Sequence, residues 1–267
     1  TAMAQAKLGH IDVATLISLM PETKKANTQM ETMSNGFKAD YDKMVTEYQN
    51  LAQKYQNEAA SQSDAMNQTR AKELEDRQQR LQMFAQSAQQ DLEKKSNELM
   101  AHVYSGLYGI PTTGLRFFTV YGPWGRPDMA PMLFAGAIRE GRPIKVFNHG
   151  NLSRDFTYID DIIEGMVRVI GKAPAPTQDR PIPAEVYNIG CGHPVQLMDF
   201  IHTLEQALGK NAQLQMMPMQ QGDVHTTYAD TTKLERDFGY RPQVSLAEGI
   251  AIFAQWYEKQ QTTGNND

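Results

Sequence analysis

The sequence lacks the features that define several classes of protein. A single cysteine, Cys191, excludes a disulfide framework, and no cluster of histidine, cysteine and carboxylate residues has the spacing of metal ligands. The net charge of −5 offers no basic field that would attract nucleic acid. No apolar run approaches the roughly 18 residues of a membrane span. We therefore predict no nucleic-acid partner, no membrane span and no metal site.

Glycine and proline are nearly absent from the first hundred residues. Residues 1–100 contain two of the 19 glycines and one of the 13 prolines, and residues 37–105 contain neither. A shift of composition of this kind is typical of a domain boundary. We predict a helical N-terminal domain over residues 1–95, an α/β domain over residues 96–260, and a disordered tail over residues 261–267.

Apolar residues recur every three or four positions through much of the first domain. One series runs from Met30 to Tyr55 with a mean spacing close to the 3.5 residues of a coiled-coil seam. The pattern lapses near Ser61, where hydroxyl and carboxylate oxygens can cap a new helix, and it resumes toward Leu81 and Ala88. We predict two long antiparallel helices joined by a short tip, with self-association through the seam as one role.

The segment before these helices has a different pattern. "KLGHIDV" alternates as a strand does, and "ATLISLMPE" predicts a short helix that ends near Pro21. Ala2, Ala4 and Ala6 form an A-x-A pattern like that of signal-peptidase sites, but no charged or apolar segment precedes them. We expect that most of any export signal is absent from this chain.

The stretch "LGHIDVATLISLMPETKKANTQMETM", followed by a helix pair rich in Gln, Lys and Tyr, resembles the OmpH/Skp family of periplasmic chaperones. The likeness covers about residues 6–95. It implies a trimer in which a small β-barrel body holds three helical tentacles around unfolded outer-membrane proteins. The resemblance therefore implies such proteins as partners of the helical hairpin, and the periplasm as the compartment.

Beyond residue 105 the pattern is that of an α/β protein. "GLRFFTVYG", "IKVFN" and "EVYNIG" predict strands, and amphipathic segments with capping signals predict helices between and after them. Arg126 and Arg154 follow a loop and a strand start, where a fixed guanidinium can bind phosphate or carboxylate. A surface salt bridge is the alternative role for each.

Other chemical groups in this half have structural interpretations. Asp160 and Asp161 are adjacent at a predicted helix start, where they point apart and complement the helix dipole. Cys191 and His193 lie in a turn and have no visible partner for nucleophilic catalysis. We predict helix-start and loop roles for these four residues.

Six stretches of the second half resemble the C-terminal part of extended short-chain dehydrogenase/reductases, most closely nucleotide-sugar epimerases of the UDP-glucuronate 4-epimerase type. They span about residues 95–258 and read "PTTGLRFFTVYGPWGRPDM", "RDFTYIDDIIEGMVRVI", "EVYNIG", "HPVQLMDFIHTLEQALGK", "GDVHTTYADTTKLERDFGYRP" and "SLAEGIAIFAQWY". The resemblance implies the last strands of a Rossmann sheet together with a UDP-sugar domain. It implies the cytoplasm as the compartment, so that the localisation of the whole chain stays open.

The resemblance also implies roles for five substrate-binding residues. Thr119 and Arg126 would face the sugar and its carboxylate. Arg154 would lie by the UDP moiety, with Val146 and Phe147 near the uridine. These residues define the UDP-sugar site that we expect.

Two parts of the family's machinery have no counterpart in these residues. The family uses NAD, whose binding needs a glycine-rich turn after a strand; "GLYGIPT" and "GPWGRPD" both depart from that fingerprint. The family's Tyr-x-x-x-Lys pair aligns with Gln90 and Lys94, and glutamine cannot act as a phenolate base. We therefore expect no cofactor in this chain and no turnover.

The sequence leaves several hypotheses to weigh. The fold class we predict is α plus α/β: a coiled-coil-like antiparallel hairpin fused to an incomplete Rossmann-type, substrate-binding part. An epimerase working alone is disfavoured by Gln90. A UDP-sugar recognition module, an OmpH/Skp-like holdase, and a chimeric chain without a joint evolved function stay open, and we favour a chimera that retains nucleotide-sugar recognition.

Overall fold

The computed structural model describes residues 20–219 and 223–263 and divides the chain into two compact units, residues 1–110 and 111–267. The strand and the short helix that we predicted before Pro21 lie outside the described residues. The domain boundary that we predicted at residues 95–96 falls inside a continuous helix. The division between the units lies instead between Ile110 and Pro111.

The first unit consists of two long helices, α1 (Pro21–Glu58) and α2 (Asp64–Tyr108), with a 3-10 turn at Ala59–Ser61 between them. Pro21 occupies the first turn of α1, where its missing N–H costs nothing. Ser63 caps α2 by accepting a hydrogen bond from the Met66 N–H at 3.3 Å. Gly109 ends α2 with a left-handed backbone, φ 63°. The capping oxygens predicted near Ser61 are thus confirmed at Ser63.

Side chains of α1 contact side chains of α2 at several levels. Phe37 and Phe84 meet edge to face, with ring centroids 6.2 Å apart. Nearer the turn, Arg70 forms an ion pair with Glu58 at 2.6 Å. The guanidinium of Arg70 also lies over the Tyr55 ring, 4.6 Å from its centroid. Apolar packing near the middle of the pair and polar contacts near the turn hold the two helices together.

The second unit alternates short strands with helices, as the sequence predicts for an α/β protein. Its strands are β1 (Thr112–Phe117), β2 (Thr119–Tyr121), β3 (Pro143–Val146), β4 (Ser153–Arg154), β5 (Phe156–Tyr158), β6 (Ala184–Ile189), β7 (Val195–Gln196) and β8 (Gln213–Met216). Its helices are α3 (Ala130–Glu140), α4 (Ile159–Ile170), α5 (Leu197–Leu208), α6 (Thr232–Phe238) and α7 (Leu246–Thr263).

The strands pair two by two. Three pairs are parallel, β1 with β6, β2 with β5 and β3 with β8, while β4 and β7 are antiparallel. The stretch "GLRFFTVYG", predicted as one strand, is divided at Phe118 into β1 and β2, which pair with different partners. A change of partner at this point carries the chain from one strand pair to the next.

Buried apolar side chains hold these layers together. The largest cluster joins β2, β5, α5 and α7 around Phe156 and Phe200, whose rings stack 4.1 Å apart, and Phe253 is fully buried beside them. A second cluster packs α4 against β6 through Ile162 and Ile189. These clusters of buried side chains form the hydrophobic core of the second unit.

The C-terminal ends of α5, α6 and α7 can be compared with the predictions from local sequence. Gly209 and Gly239 end α5 and α6 with left-handed backbones, as glycine at a helix C-terminus does. Helix α7 continues through Thr263, so residues 261–263, which we expected in a disordered tail, are helical. Residues 264–267 lie outside the described residues. Among the described helices, none is both long and apolar enough to cross a membrane.

A hydrogen bond between Tyr55 and Glu73 gives the helical unit a pH dependence. The Tyr55 hydroxyl donates to Glu73 at 2.5 Å, which raises the pKa of Tyr55 and, with Arg77 nearby, lowers the pKa of Glu73 from its ordinary 4.5. A carboxyl with a lowered folded-state pKa stabilises the fold above its unfolded pKa and loses that contribution as pH falls through the folded value. We expect Tyr55→Phe to cost less than about 1 kcal/mol at neutral pH, because solvent screens this pair.

The measurement is thermal unfolding followed by far-ultraviolet circular dichroism at neutral pH and at about pH 3. Both tryptophans, Trp124 and Trp256, lie in the second unit. A loss of circular dichroism without a change of tryptophan fluorescence therefore reports unfolding of the helices of the first unit. The difference between wild type and Tyr55→Phe should shrink in acid. Tyr41→Phe, an exposed position of the same helix, is the control, and an equal loss there would contradict the role of the hydrogen bond.

Candidate functional site

The buried carboxylate of Asp155 organises the centre of the second unit. One oxygen accepts the Cys191 N–H at 2.8 Å, and the other accepts the N–H groups of Gly192 and Ala229, each at 2.9 Å. The Asp155 carbonyl accepts the N–H of Thr119 at 3.0 Å. One residue therefore fixes β2, the loop after β6 and the segment before α6 relative to the chain between β4 and β5.

A cavity of about 620 Å³ opens beside this centre. Three residues expected at the UDP-sugar site line it: Thr119, Phe147 and Arg154. Thr119 begins β2, Phe147 follows directly after β3, and Arg154 ends β4. The cavity is formed mainly by apolar side chains, which include Leu133, Phe134, Ala137, Ile144, Leu152, Phe156 and Leu197. Strand ends from three different pairs therefore bring predicted residues to one concave surface.

The guanidinium of Arg154 is held in place on several sides. It donates to the Asp223 carboxylate at 2.7 Å and to the backbone carbonyl of Ser153 at 2.9 Å. A longer bond of 3.4 Å reaches the carbonyl of His225. The side chain is only 18% exposed. A guanidinium fixed in this way has little rotamer entropy left to lose, and its charge is already paired with the Asp223 carboxylate.

The turn that carries Phe147 has an unusual backbone. Residues Phe147–Gly150 form a 3-10 turn in which Asn148 and His149 have left-handed φ values of 49° and 51°. The Asn148 side-chain amide donates to the Asn151 carbonyl at 2.7 Å, which supports this conformation. The turn thus ends β3 abruptly and leaves the Phe147 ring at the cavity wall.

Two expected residues have other surroundings. Arg126 is exposed and donates to the carboxylate of Asp128, which lowers the pKa of Asp128. Asp128 lines the cavity, so the pair lies at its edge. The Val146 side chain is fully buried and packs in the core with Ile144. Phe147, the next residue, contacts the cavity in its place.

Two basic residues at the cavity were missed by the sequence analysis. Arg142 and Lys145 line it, in addition to Arg154, and Asp128 is the one acidic residue among its lining. Arg142 also forms an ion pair with Glu140, which raises the pKa of the guanidinium. The alternation in "IKV" predicts only that Lys145 is exposed, on the strand face opposite Ile144 and Val146, so the sequence held no specific signal for a place at the cavity. The lining therefore carries three basic groups and one acidic group, of which Arg154 and Arg142 are paired with carboxylates outside the lining, Asp223 and Glu140.

Lys94 and Gln90 belong to the first unit. Both are exposed on α2, and the Lys94 ammonium pairs with Asp91 at 3.0 Å within the same helix. The surroundings of Lys94 are those of a surface helix residue.

One glycine-rich loop of the second unit does not fit the pyrophosphate of a dinucleotide. The glycine-rich loop "GPWG" does connect β2 to α3, but a Cβ at Gly122 would lie 2.6 Å from the Ile159 side chain. Gly122 is therefore required by packing. The next residues, Pro123 and the largely exposed Trp124, differ from the open glycines that let a pyrophosphate approach a helix N-terminus.

The remaining candidate residues have structural surroundings. Asp160 is exposed while Asp161 is buried, so the two carboxylates point apart as expected. Asp161 accepts the N–H groups of Gln243 at 3.0 Å and Val244 at 2.9 Å. Burial raises the pKa of the Cys191 thiol, which disfavours a nucleophilic thiolate. Within the described ranges, no group of three or more His, Cys, Asp or Glu residues is placed to hold a metal ion.

Two family models match the chain. Residues 7–110 match the model described as "Outer membrane protein (OmpH-like)", and residues 66–190 match the "NAD dependent epimerase/dehydratase family". The two ranges overlap over residues 66–110. Both resemblances drawn from the sequence are confirmed, and a chain that combines the two families is consistent with the matches.

Individual curated relatives are similar to this chain over part of its length, and those described next are UDP-glucuronate 4-epimerases. A probable UDP-glucuronate 4-epimerase of Rhizobium meliloti is 51% identical over 177 residues, which cover 62% of this chain and 52% of that protein. UDP-glucuronate 4-epimerase 2 of Arabidopsis thaliana is 42% identical over 173 residues, covering 61% and 40%. The chain spans about half the length, or less, of these curated relatives.

Solved structures give the same result for the fold. A UDP-glucuronic acid 4-epimerase from Bacillus cereus, in complex with UDP-glucuronic acid and NAD, aligns with a TM-score of 0.55 and 36% identity, over 62% of this chain and 51% of that one. MoeE5 in complex with UDP-glucuronic acid and NAD aligns with a TM-score of 0.55 and 25% identity, over 65% and 55%. The short parallel α/β part of this chain thus resembles the Rossmann-type fold of epimerases, and its long N-terminal helices fit the OmpH-like match.

The Asp155 hydrogen bonds predict a large loss of stability on isosteric substitution. Asp155→Asn keeps the shape but replaces one acceptor oxygen with an NH₂ group that faces backbone N–H donors. We expect the second unit to lose about 3 kcal/mol, because buried donors lose a charged acceptor. Urea unfolding followed by tryptophan fluorescence measures it. The matched control is Asp160→Asn, exposed and five residues away, which should cost less than about 1 kcal/mol; equal losses in both variants would contradict the role given to Asp155.

Proposed function

We propose that the second unit recognises a UDP-sugar in the cavity lined by Thr119, Phe147 and Arg154. The observation that carries this proposal is the convergence of these three residues, each implied by resemblance to UDP-glucuronate 4-epimerases, on one cavity. Its volume of about 620 Å³ lies within the range of small-molecule sites.

The chemistry of the lining matches the parts of a nucleotide sugar. The fixed guanidinium of Arg154, with Arg142 and Lys145 nearby, suits the two negative charges of a diphosphate. The apolar wall and the Phe147 ring suit the flat face of a uracil base. Arg126, paired with Asp128 at the edge, could exchange that carboxylate for the carboxylate of a sugar acid. A charged nucleotide sugar therefore fits better than an uncharged lipid or peptide.

We propose further that these 267 residues bind a UDP-sugar without turning it over. Gln90 occupies the position that the family resemblance gives to the catalytic tyrosine, and an amide has no ionisable hydroxyl with which to remove a proton. The glycine turn at "GPWG" is required by packing on Ile159. On this proposal the Rossmann-type sheet is incomplete, and the exposed Lys94 has no catalytic role.

A second candidate function rests on the first unit. The OmpH-like match over residues 7–110 and the length of α1 and α2 support an antiparallel helical hairpin that holds unfolded outer-membrane proteins. Exposed methionines along the second helix, such as Met66, Met83 and Met100, offer adaptable apolar contacts for such clients. On this proposal the two units have separate activities, and a chimera without a joint function is the remaining alternative.

Binding without turnover is the first expected outcome. Isothermal titration of the chain with UDP-glucuronate should show binding, and Arg154→Ala should weaken it about tenfold or more through loss of a charge-assisted contact. Arg241→Ala is the control: Arg241 is exposed, pairs with Glu235 away from the cavity, and should change affinity less than about twofold. The same preparation should form no UDP-galacturonate and release no nicotinamide cofactor on denaturation.

Two results would contradict this proposal in different ways. Equal weakening by both arginine variants would remove the cavity as the binding site. Formation of UDP-galacturonate by the purified chain would overturn the absence of turnover and leave recognition intact.

The holdase candidate predicts protection of an unfolded client. The full chain at equimolar ratio should suppress the light scattering of a urea-denatured outer-membrane β-barrel protein on dilution. Replacing Met66, Met83 and Met100 with Gln should reduce that suppression, because the apolar contacts are lost while the helices keep their length. The Arg154→Ala variant serves as control and should protect as well as wild type. A chain that leaves scattering unchanged removes this candidate.

A further inference from the structure

Most of the surface of the cavity in the second unit is apolar. Eleven of its sixteen lining residues are apolar. Five of the eleven belong to the core clusters that surround the cavity and are themselves buried: Ala137, Ile144, Leu152, Phe156 and Leu197. Leu133 belongs to the same lining and is 53% exposed, so it is available to contact a ligand. The cavity therefore offers a hydrocarbon group a large contact surface.

The polar side chains of the lining are suited to an anion. Apart from Thr119, every polar residue of the lining is charged, and three of the four charged residues are basic: Arg142, Lys145 and Arg154. Within the part of the chain that the structure describes, no Asn, Gln, Ser or Tyr side chain lines the cavity. Those are the side chains whose donors and acceptors match the edge of a base or the hydroxyls of a sugar. The lining side chains therefore select for negative charge much more than for the identity of a base.

Lys145 is the basic residue of the lining whose charge has no partner among the described residues. The guanidinium of Arg154 pairs with Asp223 at 2.7 Å, and that of Arg142 pairs with Glu140. Over residues 20–219 and 223–263, no hydrogen bond and no ion pair involves the Lys145 ammonium. An anionic ligand gains most from this ammonium, because at either arginine it has to compete with a carboxylate.

We propose that this cavity binds a single-chain amphiphilic anion, a long-chain alkyl phosphate. The phosphate pairs with the exposed Lys145 ammonium, and the alkyl chain lies against Leu133 and the buried apolar lining. A neutral lipid would leave the ammonium without a partner, and inorganic phosphate would leave the apolar lining in contact with water. A volume of about 620 Å³ is large enough for a chain of this kind. The charge and the apolar surface of the cavity are therefore both matched by one molecule.

Binding of an alkyl phosphate goes beyond UDP-sugar recognition and does not rest on it. The two ligands share one cavity, so an alkyl phosphate should displace UDP-glucuronate where both bind. A chain that binds the alkyl phosphate and not UDP-glucuronate would remove the proposed function and leave this inference standing. The reverse result would remove this inference alone.

The test is isothermal titration of the full chain with hexyl, octyl and decyl phosphate, each below its critical micelle concentration. The affinity should rise about tenfold for each two added methylene groups, because each buried methylene leaves water. Inorganic phosphate should bind about a hundredfold more weakly than decyl phosphate, or not at all. An affinity that does not change with chain length would overturn the proposal. Binding to vesicles that contain phosphatidic acid, without binding to monomeric decyl phosphate, would overturn it as well.

A variant of the apolar lining locates the alkyl chain in the cavity. Leu133→Glu should weaken the binding of decyl phosphate about tenfold or more, because a carboxylate enters the apolar wall and repels the phosphate. Ile163→Glu is the matched control: Ile163 is 48% exposed on α4, lies outside the lining, and should change the affinity less than about twofold. Equal weakening by both variants would place the ligand elsewhere and overturn the proposal.

A second variant tests the role of the ammonium. Lys145→Gln removes the charge at an exposed position and should weaken the binding of decyl phosphate about tenfold, while the gain in affinity per methylene stays the same. Lys38→Gln, the same change on an exposed lysine of α1, is the control and should change the affinity less than about twofold. Tryptophan fluorescence checks that each variant keeps the folded second unit. A Lys145→Gln variant that binds as tightly as wild type would overturn the assignment of the phosphate to this residue.

Discussion

The organisation of the second unit depends on one buried carboxylate. Burying an ionised carboxyl group is costly unless hydrogen bonds replace its water. Asp155 is fully buried and receives three backbone N–H bonds, and Thr157 donates a further one at 3.3 Å. Because the N–H donors come from segments more than thirty residues away, a single side chain helps to join parts of the chain that are distant in sequence. Arg154 is its neighbour in sequence, so the position of the cavity's main cation follows from that of Asp155.

The backbone segments around Asp155 are packed very close to one another. Gly190 precedes the donors Cys191 and Gly192, and a Cβ at Gly190 would lie 2.4 Å from the Ala229 Cβ. The loop after β6 and the segment before α6 therefore approach as closely as their backbones allow. Their N–H groups can reach one carboxylate only because of this approach. Packing and hydrogen bonding therefore favour the same arrangement. In this way a unit built from short strand pairs acquires a defined cavity.

The sequence predicted elements whose signals are local and missed those that depend on distant partners. Ser63 and Gly209 identify helix ends because capping involves residues within one turn. The break at Phe118 could not be read from "GLRFFTVYG", since it follows from a change of strand partner. The family motif placed Arg154 at the cavity, whereas Lys145 was missed because a basic residue in a short strand looks like any exposed one. Val146 shows an error of the opposite kind. The family motif identified the correct turn, but the alternation of side chains along β3 directs Val146 into the core and not toward the cavity.

The two family matches overlap over residues 66–110, almost all of them within helix α2, where joining two sequences costs little. All hydrogen bonds of a helix are made between residues four apart, so one helical sequence can follow another without a new tertiary partner. Helix α2 runs unbroken across Gln90 and Lys94, and the Lys94 ammonium is satisfied by Asp91 one turn earlier. Retention of this lysine therefore requires only a helix. A strand joint would have required partners along its whole length. Evidence for function has to come from groups held by long-range contacts, and Arg154, fixed by Asp223, is such a group.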